Sequence, residues 1–117
     1  PSAGGVHPID ILVIDGAPNG GRASLYRPGP HALDDLRIAD RDGFEAFLES
    51  VDSVLRRDRG TLLWFVAQFG RTASRYENPE TLVWRDAGAL LATIGLVSEA
   101  LGLACCGVGA TGEPLVS

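Results

Sequence analysis

The tract Arg71-Thr72-Ala73-Ser74-Arg75-Tyr76 sets a phenol beside fixed positive charge. Such charge stabilises a phenolate, the form that takes up a proton, so Tyr76 with Arg75 is a candidate proton-handling pair. The alternative is a surface Arg–Tyr pair with no role. Two glycine-rich tracts lie near the chain ends. In Pro1-Ser2-Ala3-Gly4-Gly5, backbone amides and the Ser2 hydroxyl could meet the polar edge of a flat heterocycle, although alone the tract is only a turn. Gly107-Val108-Gly109-Ala110-Thr111-Gly112 spells G-x-G-x-x-G. In a dinucleotide-binding fold that motif follows the first strand, opens a helix and precedes a ribose-holding acid. Here the sequence stops at Ser117, with no later strand or acid at that distance, so the glycines mark a loop that comes close to a ligand or another segment. His7 and His31 each adjoin a proline, and no Ser-His-Asp set or metal-ligand spacing is present. Cys105 and Cys106 are adjacent, which disfavours a disulfide, and are expected as small buried residues in a reducing cytosol, with a redox pair as the alternative.

Elements must hold these residues. Pro1 to Pro8 is turn chemistry, and the β-branched run Ile9 to Asp15 predicts a buried strand. Ala17-Pro18-Asn19-Gly20-Gly21 predicts a reversal, and Ala23 to Arg27 a short strand that pairs back. Pro28 to Arg41 reads as loop with extended structure near Leu33 and Leu36. Asp42 is expected to cap a helix, with Glu45 completing a capping box. Phe44, Phe47, Leu48, Val51 and Leu55 form its apolar stripe, Arg56 and Arg57 its last turn and Gly60 its end. Thr61 to Phe69 predicts another strand and Gly70 to Tyr76 a polar connection. Asn78 and Pro79 start a second helix, expected to run to Leu101 and stop at Gly102. Leu90, Leu91, Ile94, Leu96, Val97 and Leu101 make its second half apolar nearly all round, which predicts burial on several sides by a partner subunit or by the chain's own sheet. Gly88, Ala92 and Gly95 give it an edge that another backbone could approach. A final short strand, Leu103 to Val108, precedes the glycine loop, and the whole order is α+β.

Composition bounds the function. The 117 residues are 45% hydrophobic, enough for one domain with a core. Fifteen glycines and seven prolines promise many turns. Fifteen acids against ten bases leave a net charge of −5, which argues against a nucleic-acid partner. All the bases are arginine, and the absence of Met implies that the chain does not begin at its initiator. No apolar run reaches the roughly 20 residues of a membrane helix. The longest, Ala87 to Val97, is interrupted by Gly and Thr and flanked by Asp86 and Glu99. Nothing at the start reads as a signal peptide, so a cytoplasmic protein without a membrane partner is expected.

Taken in order, the motifs resemble the nitroreductase superfamily and, within it, the SagB-type dehydrogenases of thiazole- and oxazole-modified peptide biosynthesis. Pro1-Ser2-Ala3-Gly4-Gly5-Val6-His7-Pro8 before a strand is similar to that group's Pro-Ser-x-Gly-Gly/Ala-x-Tyr/His-Pro signature. Leu25-Tyr26-Arg27 and His31-Ala32-Leu33 resemble its following hairpin. Phe69-Gly70-Arg71-Thr72 followed by Arg75-Tyr76 stands where the group has Arg-Thr before Lys-Tyr. Asp86-Ala87-Gly88 and Glu99-Ala100-Leu101-Gly102-Leu103 resemble its long central helix and the approach to the flavin loop. Essentially the whole sequence is spanned.

The resemblance implies an FMN-dependent oxidoreductase with an antiparallel-rich sheet packed on a long central helix, built as an intertwined homodimer with flavin between subunits. Pro1, Ser2, Ala3 and Gly5 would approach the isoalloxazine from one subunit, and Gly107, Val108, Gly109 and Ala110 from the other. Tyr76, with Arg75, would be the catalytic pair of an azoline oxidation, acting on a peptide with possible biosynthetic partner proteins. The group's Lys is Arg75 here, and a guanidinium cannot serve as a base. Two other readings stand beside this one: a general NAD(P)H-dependent reductase of small nitro or quinone substrates, and a non-catalytic scaffold subunit. The group also carries phosphate-gripping arginines ahead of its opening signature and a further segment after its glycine loop, so these residues read as a partial domain.

Overall fold

A computed structural model describes residues 2–16, 20–58, 60–110 and 112. A short 3-10 turn, Ala3–Gly5, precedes β1 (Ile9–Asp15), β2 (Arg22–Arg27), β3 (Ala32–Asp35), α1 (Arg41–Val54), β4 (Leu62–Ala67), α2 (Phe69–Ala73) and α3 (Pro79–Ala100). The strands form one sheet in the order β3-β2-β1-β4. β1 pairs antiparallel with β2, Leu12 opposite Leu25, and β2 with β3, Tyr26 opposite Leu33. The α+β class and the hairpin after β1 are as the sequence predicts. The reversal expected at Ala17-Pro18-Asn19 lies outside the described residues. β3 is short and exposed throughout, and its Asp34 and Asp35 reach across to Arg27 and Arg22 at 3.0 and 2.8 Å. Exposed pairs of this kind add little stability, but charge on an edge strand opposes further strand pairing.

The chain divides into two compact units, residues 11–64 with 108–117 and residues 1–10 with 65–107. In the first, α1 presents Phe44, Phe47, Leu48 and Val51 to Ile14 of β1 and Ala23 of β2. Trp64 stacks on Phe47 with ring centroids 4.6 Å apart, and Val108 packs at the margin of the same core. The apolar stripe is thus the predicted one, but its ends differ. The cap is Asp40, whose carboxylate accepts from the Gly43 N–H at 2.9 Å. Asp42 lies inside the first turn, so no capping box with Glu45 forms. The helix stops at Val54, and Leu55 is its extended C-cap with 39% of its surface exposed. Arg56, Arg57 and Gly60 therefore follow the helix, and Arg57 folds back on Asp52 at 2.5 Å.

In the second unit, Pro8, Thr72, Val83 and Asp86 are buried. The connection expected over Gly70–Tyr76 contains the short helix α2. α3 begins at Asn78-Pro79 as predicted, although the Asn78 side chain caps nothing. Its end is a Schellman turn: the Leu103 N–H donates to Ser98 O at 2.9 Å, the Gly102 N–H donates to Glu99 O at 3.0 Å, and Gly102 has φ +70°. Of the two covers expected for its apolar second half, the chain's own sheet does not supply one. Leu91, Leu96, Val97 and Leu101 are exposed, and the residues of α3 that are buried, Val83 and Asp86, both lie in its first half. By length and composition α3 is also long and apolar enough to cross a membrane, a property that a search for uninterrupted apolar runs misses. Leu103 to Val108 forms no strand, and Cys105 and Cys106 are free and exposed rather than buried.

Candidate functional site

The opening glycines build a tight turn. The Gly5 N–H donates to Ser2 O at 3.1 Å, the Val6 N–H to Ala3 O at 3.4 Å and the His7 N–H to Ser2 Oγ at 2.9 Å. Gly4 and Gly5 take left-handed φ values of +59° and +66°, which glycine reaches without steric cost. His7 is held at φ +48°, a conformation that opposes its Cβ. Bonds at both ends of His7 maintain it: Ser2 on its amide, and the Arg71 guanidinium on its carbonyl at 3.1 Å.

Charged side chains from the α2–α3 region meet this turn. Arg71 also grips the Asp10 carboxylate through two nitrogens, at 2.7 and 3.1 Å. Arg75 donates to Gly4 O at 3.0 Å. The Tyr76 ring lies over Gly4, where a Cβ would come within 2.5 Å of its hydroxyl oxygen. Asp86, projecting from the inward face of α3, accepts the Ala3 N–H on both carboxylate oxygens, at 3.1 and 3.2 Å. The end of α2 places Arg75 and Tyr76 because both their amides donate to Thr72 O. Thr72 itself is fully buried, and its hydroxyl has no partner among the described residues.

The structure therefore brings Ser2, Ala3, Gly5, Arg75 and Tyr76 into one unit. Gly107 belongs to that unit too, and a Cβ there would only touch Leu91. Val108, Gly109 and Ala110 belong to the other unit, and Pro1 lies outside the described residues. Asp86 is the site residue that sequence reasoning passed over. The sequence offers for it only an acid one turn after Val83, among the other charged residues Glu80 and Arg85 of the same helix. Among the described residues no group of three or more His, Cys, Asp or Glu could hold a metal ion.

The turn leaves room for the edge of a flat heterocycle such as flavin. Where a side chain would project from Gly5 there is open space, and the same holds at Gly109. The Ser2 hydroxyl accepts from His7 and keeps its own proton to donate. Arg71 and Arg75 are both committed to backbone carbonyls and, for Arg71, to Asp10, so they anchor the turn rather than a phosphate.

No curated protein and no solved structure matches the chain significantly. The sequence model of the nitroreductase family matches residues 1–116, and the chain accordingly belongs to that family, whose members are in general flavin-dependent oxidoreductases that typically bind FMN.

Proposed function

We propose that this chain is part of an FMN-dependent dehydrogenase of the SagB type, which oxidises azoline rings in a ribosomally made peptide to azoles. The observation that carries the reading is the meeting of the Ser2–Gly5 turn with Tyr76 and Arg75. Ser2, Ala3 and Gly5 would hold the edge of the flavin, with Gly107, Val108, Gly109 and Ala110 completing its cover from a second subunit. Bound FMN would supply a two-electron hydride acceptor. Aromatisation of an azoline removes two hydrogens, one as hydride and one as a proton. Tyr76, which lies over Gly4 and is 37% exposed, would take that proton. A guanidinium cannot take it, so Arg75, which donates to Gly4 O, would hold the turn beneath the ring.

The exposed apolar residues around α3 support a homodimer. Trp84, Leu91, Leu96, Val97 and Leu101 continue to Leu103 after the helix, and monomers rarely leave a patch of that extent uncovered. A second copy of the chain is the partner that this reading places there.

The substitution of Arg75 for the group's Lys favours a second reading, a general reductase of small nitro or quinone acceptors that draws electrons from NAD(P)H and needs no base on a peptide. Incubation of FMN-loaded protein with an azoline-containing peptide separates the two. Loss of two hydrogens from the peptide, followed by mass spectrometry and abolished in Tyr76→Phe, supports the dehydrogenase. An unchanged peptide, with NAD(P)H consumed against quinones, supports the reductase.

A further inference from the structure

We propose that Asp86 is a positioning residue whose buried charge sets the flavin-facing turn, an inference that rests on the FMN reading above. Asp86 is 8% exposed, and among the described residues it has no cation partner. Among those residues its hydrogen-bond donor is the Ala3 amide, 83 positions away in sequence. Burying a carboxylate carries a desolvation cost, and one amide donor returns only part of it. An apolar residue at this point of α3 would serve packing against Val83 as well or better. The acid instead fixes one atom, the Ala3 nitrogen, from a rigid helix.

The surrounding bonds extend the same restraint. Arg75 holds the next carbonyl, Gly4 O, and Arg71 holds His7 O. The turn is thus pinned at an amide by an anion and at two carbonyls by cations, each matched to the polarity it meets. Its own bonds, Gly5 to Ser2 and His7 to Ser2, would not by themselves hold three left-handed residues in register with α3. Asp86 prepays the ordering that a cofactor would otherwise impose on binding.

Two readouts on the same proteins test this: FMN fluorescence quenching for affinity, and solvent exchange of the Ala3 amide by NMR without cofactor. Asp86→Ala is expected to free the Ala3 amide and to weaken FMN binding by about tenfold, the factor of one charge-assisted hydrogen bond. Asp86→Asn keeps one acceptor oxygen, so it is expected to restore part of the affinity, and it decides the matter if Asp86→Ala does not fold. Val83→Ala, one turn away on the same face, is expected to lower the melting temperature and leave FMN affinity unchanged. Wild-type affinity in Asp86→Asn with a freed Ala3 amide would overturn the proposal, as would an Ala3 amide that already exchanges freely in the wild type. A wild type that protects the amide but binds no FMN would instead remove the FMN reading, leaving Asp86 as the anchor of the turn.

Discussion

The Tyr76 hydroxyl occupies the space a side chain on Gly4 would need: a Cβ there would come within 2.5 Å of the phenol oxygen. Gly4 is therefore required twice, by its φ of +59° and by the ring above it. The left-handed conformation costs a Cβ-bearing residue about 1–2 kcal/mol, and the overlap adds roughly 1–3 kcal/mol. Gly4→Ala is expected to destabilise the protein by both amounts in chemical denaturation. In the double variant Gly4→Ala/Tyr76→Phe the overlap with the hydroxyl disappears and the conformational cost remains. Additive effects of the two changes would show that the contact does not exist in solution.

The helix cap offers a sharper local test. Asp40→Ala removes the carboxylate that accepts from Gly43 and should cost about 1 kcal/mol. Asp42→Asn should change stability by a few tenths at most, since its side chain caps nothing. Urea midpoints of the two variants in the reverse order would move the start of α1.

Leu48 is wholly buried between Phe44, Phe47 and Val51 on the helix side and Ile14 on the sheet side. Leu48→Ala is expected to cost about 2–5 kcal/mol, a large fraction of a small domain's stability. In protein diluted until it is monomeric, Leu96→Ala, with 74% of the residue exposed, should leave stability almost unchanged. Equal losses in thermal denaturation would contradict the placement of the core.

Leu96 tests the proposed dimer in another way. Leu96→Glu adds a charge to the exposed face of α3 and is expected to turn a dimeric light-scattering mass into a monomeric one. A wild type that is monomeric at high concentration would refute the assignment of α3 to subunit contact.

How far the sequence disclosed this arrangement depended on the range of each interaction. β1 was legible because β-branched residues crowd Ile9–Asp15, and α1 because Phe44, Phe47, Leu48 and Val51 recur at helical spacing. The α1 cap was misplaced by two residues because Asp40 and Asp42 are both competent caps and only backbone geometry chooses between them. α2 escaped because five residues are too few to carry a periodic signal. The bounds of α3 were plain in Asn78-Pro79 and Gly102, but its exposure was not. Composition says that a face is apolar without saying what covers it. Ser2, Ala3 and Gly5 stood out through their glycine-rich turn. That Arg75 and Tyr76 reach it could not be read from spacing, since the bond from Arg75 to Gly4 spans 71 positions. The role of Asp86 was not legible for the same reason, its partner being a backbone amide 83 positions away in sequence.

The most direct measurement is the visible absorption spectrum of the purified chain after incubation with excess FMN and desalting. Flavin bands that stay with the protein are the predicted result, since the Ser2–Gly5 turn is held in place by Asp86, Arg75 and Arg71 before any cofactor arrives. A colourless protein would contradict flavin catalysis by these residues and leave a scaffold subunit as the reading to pursue.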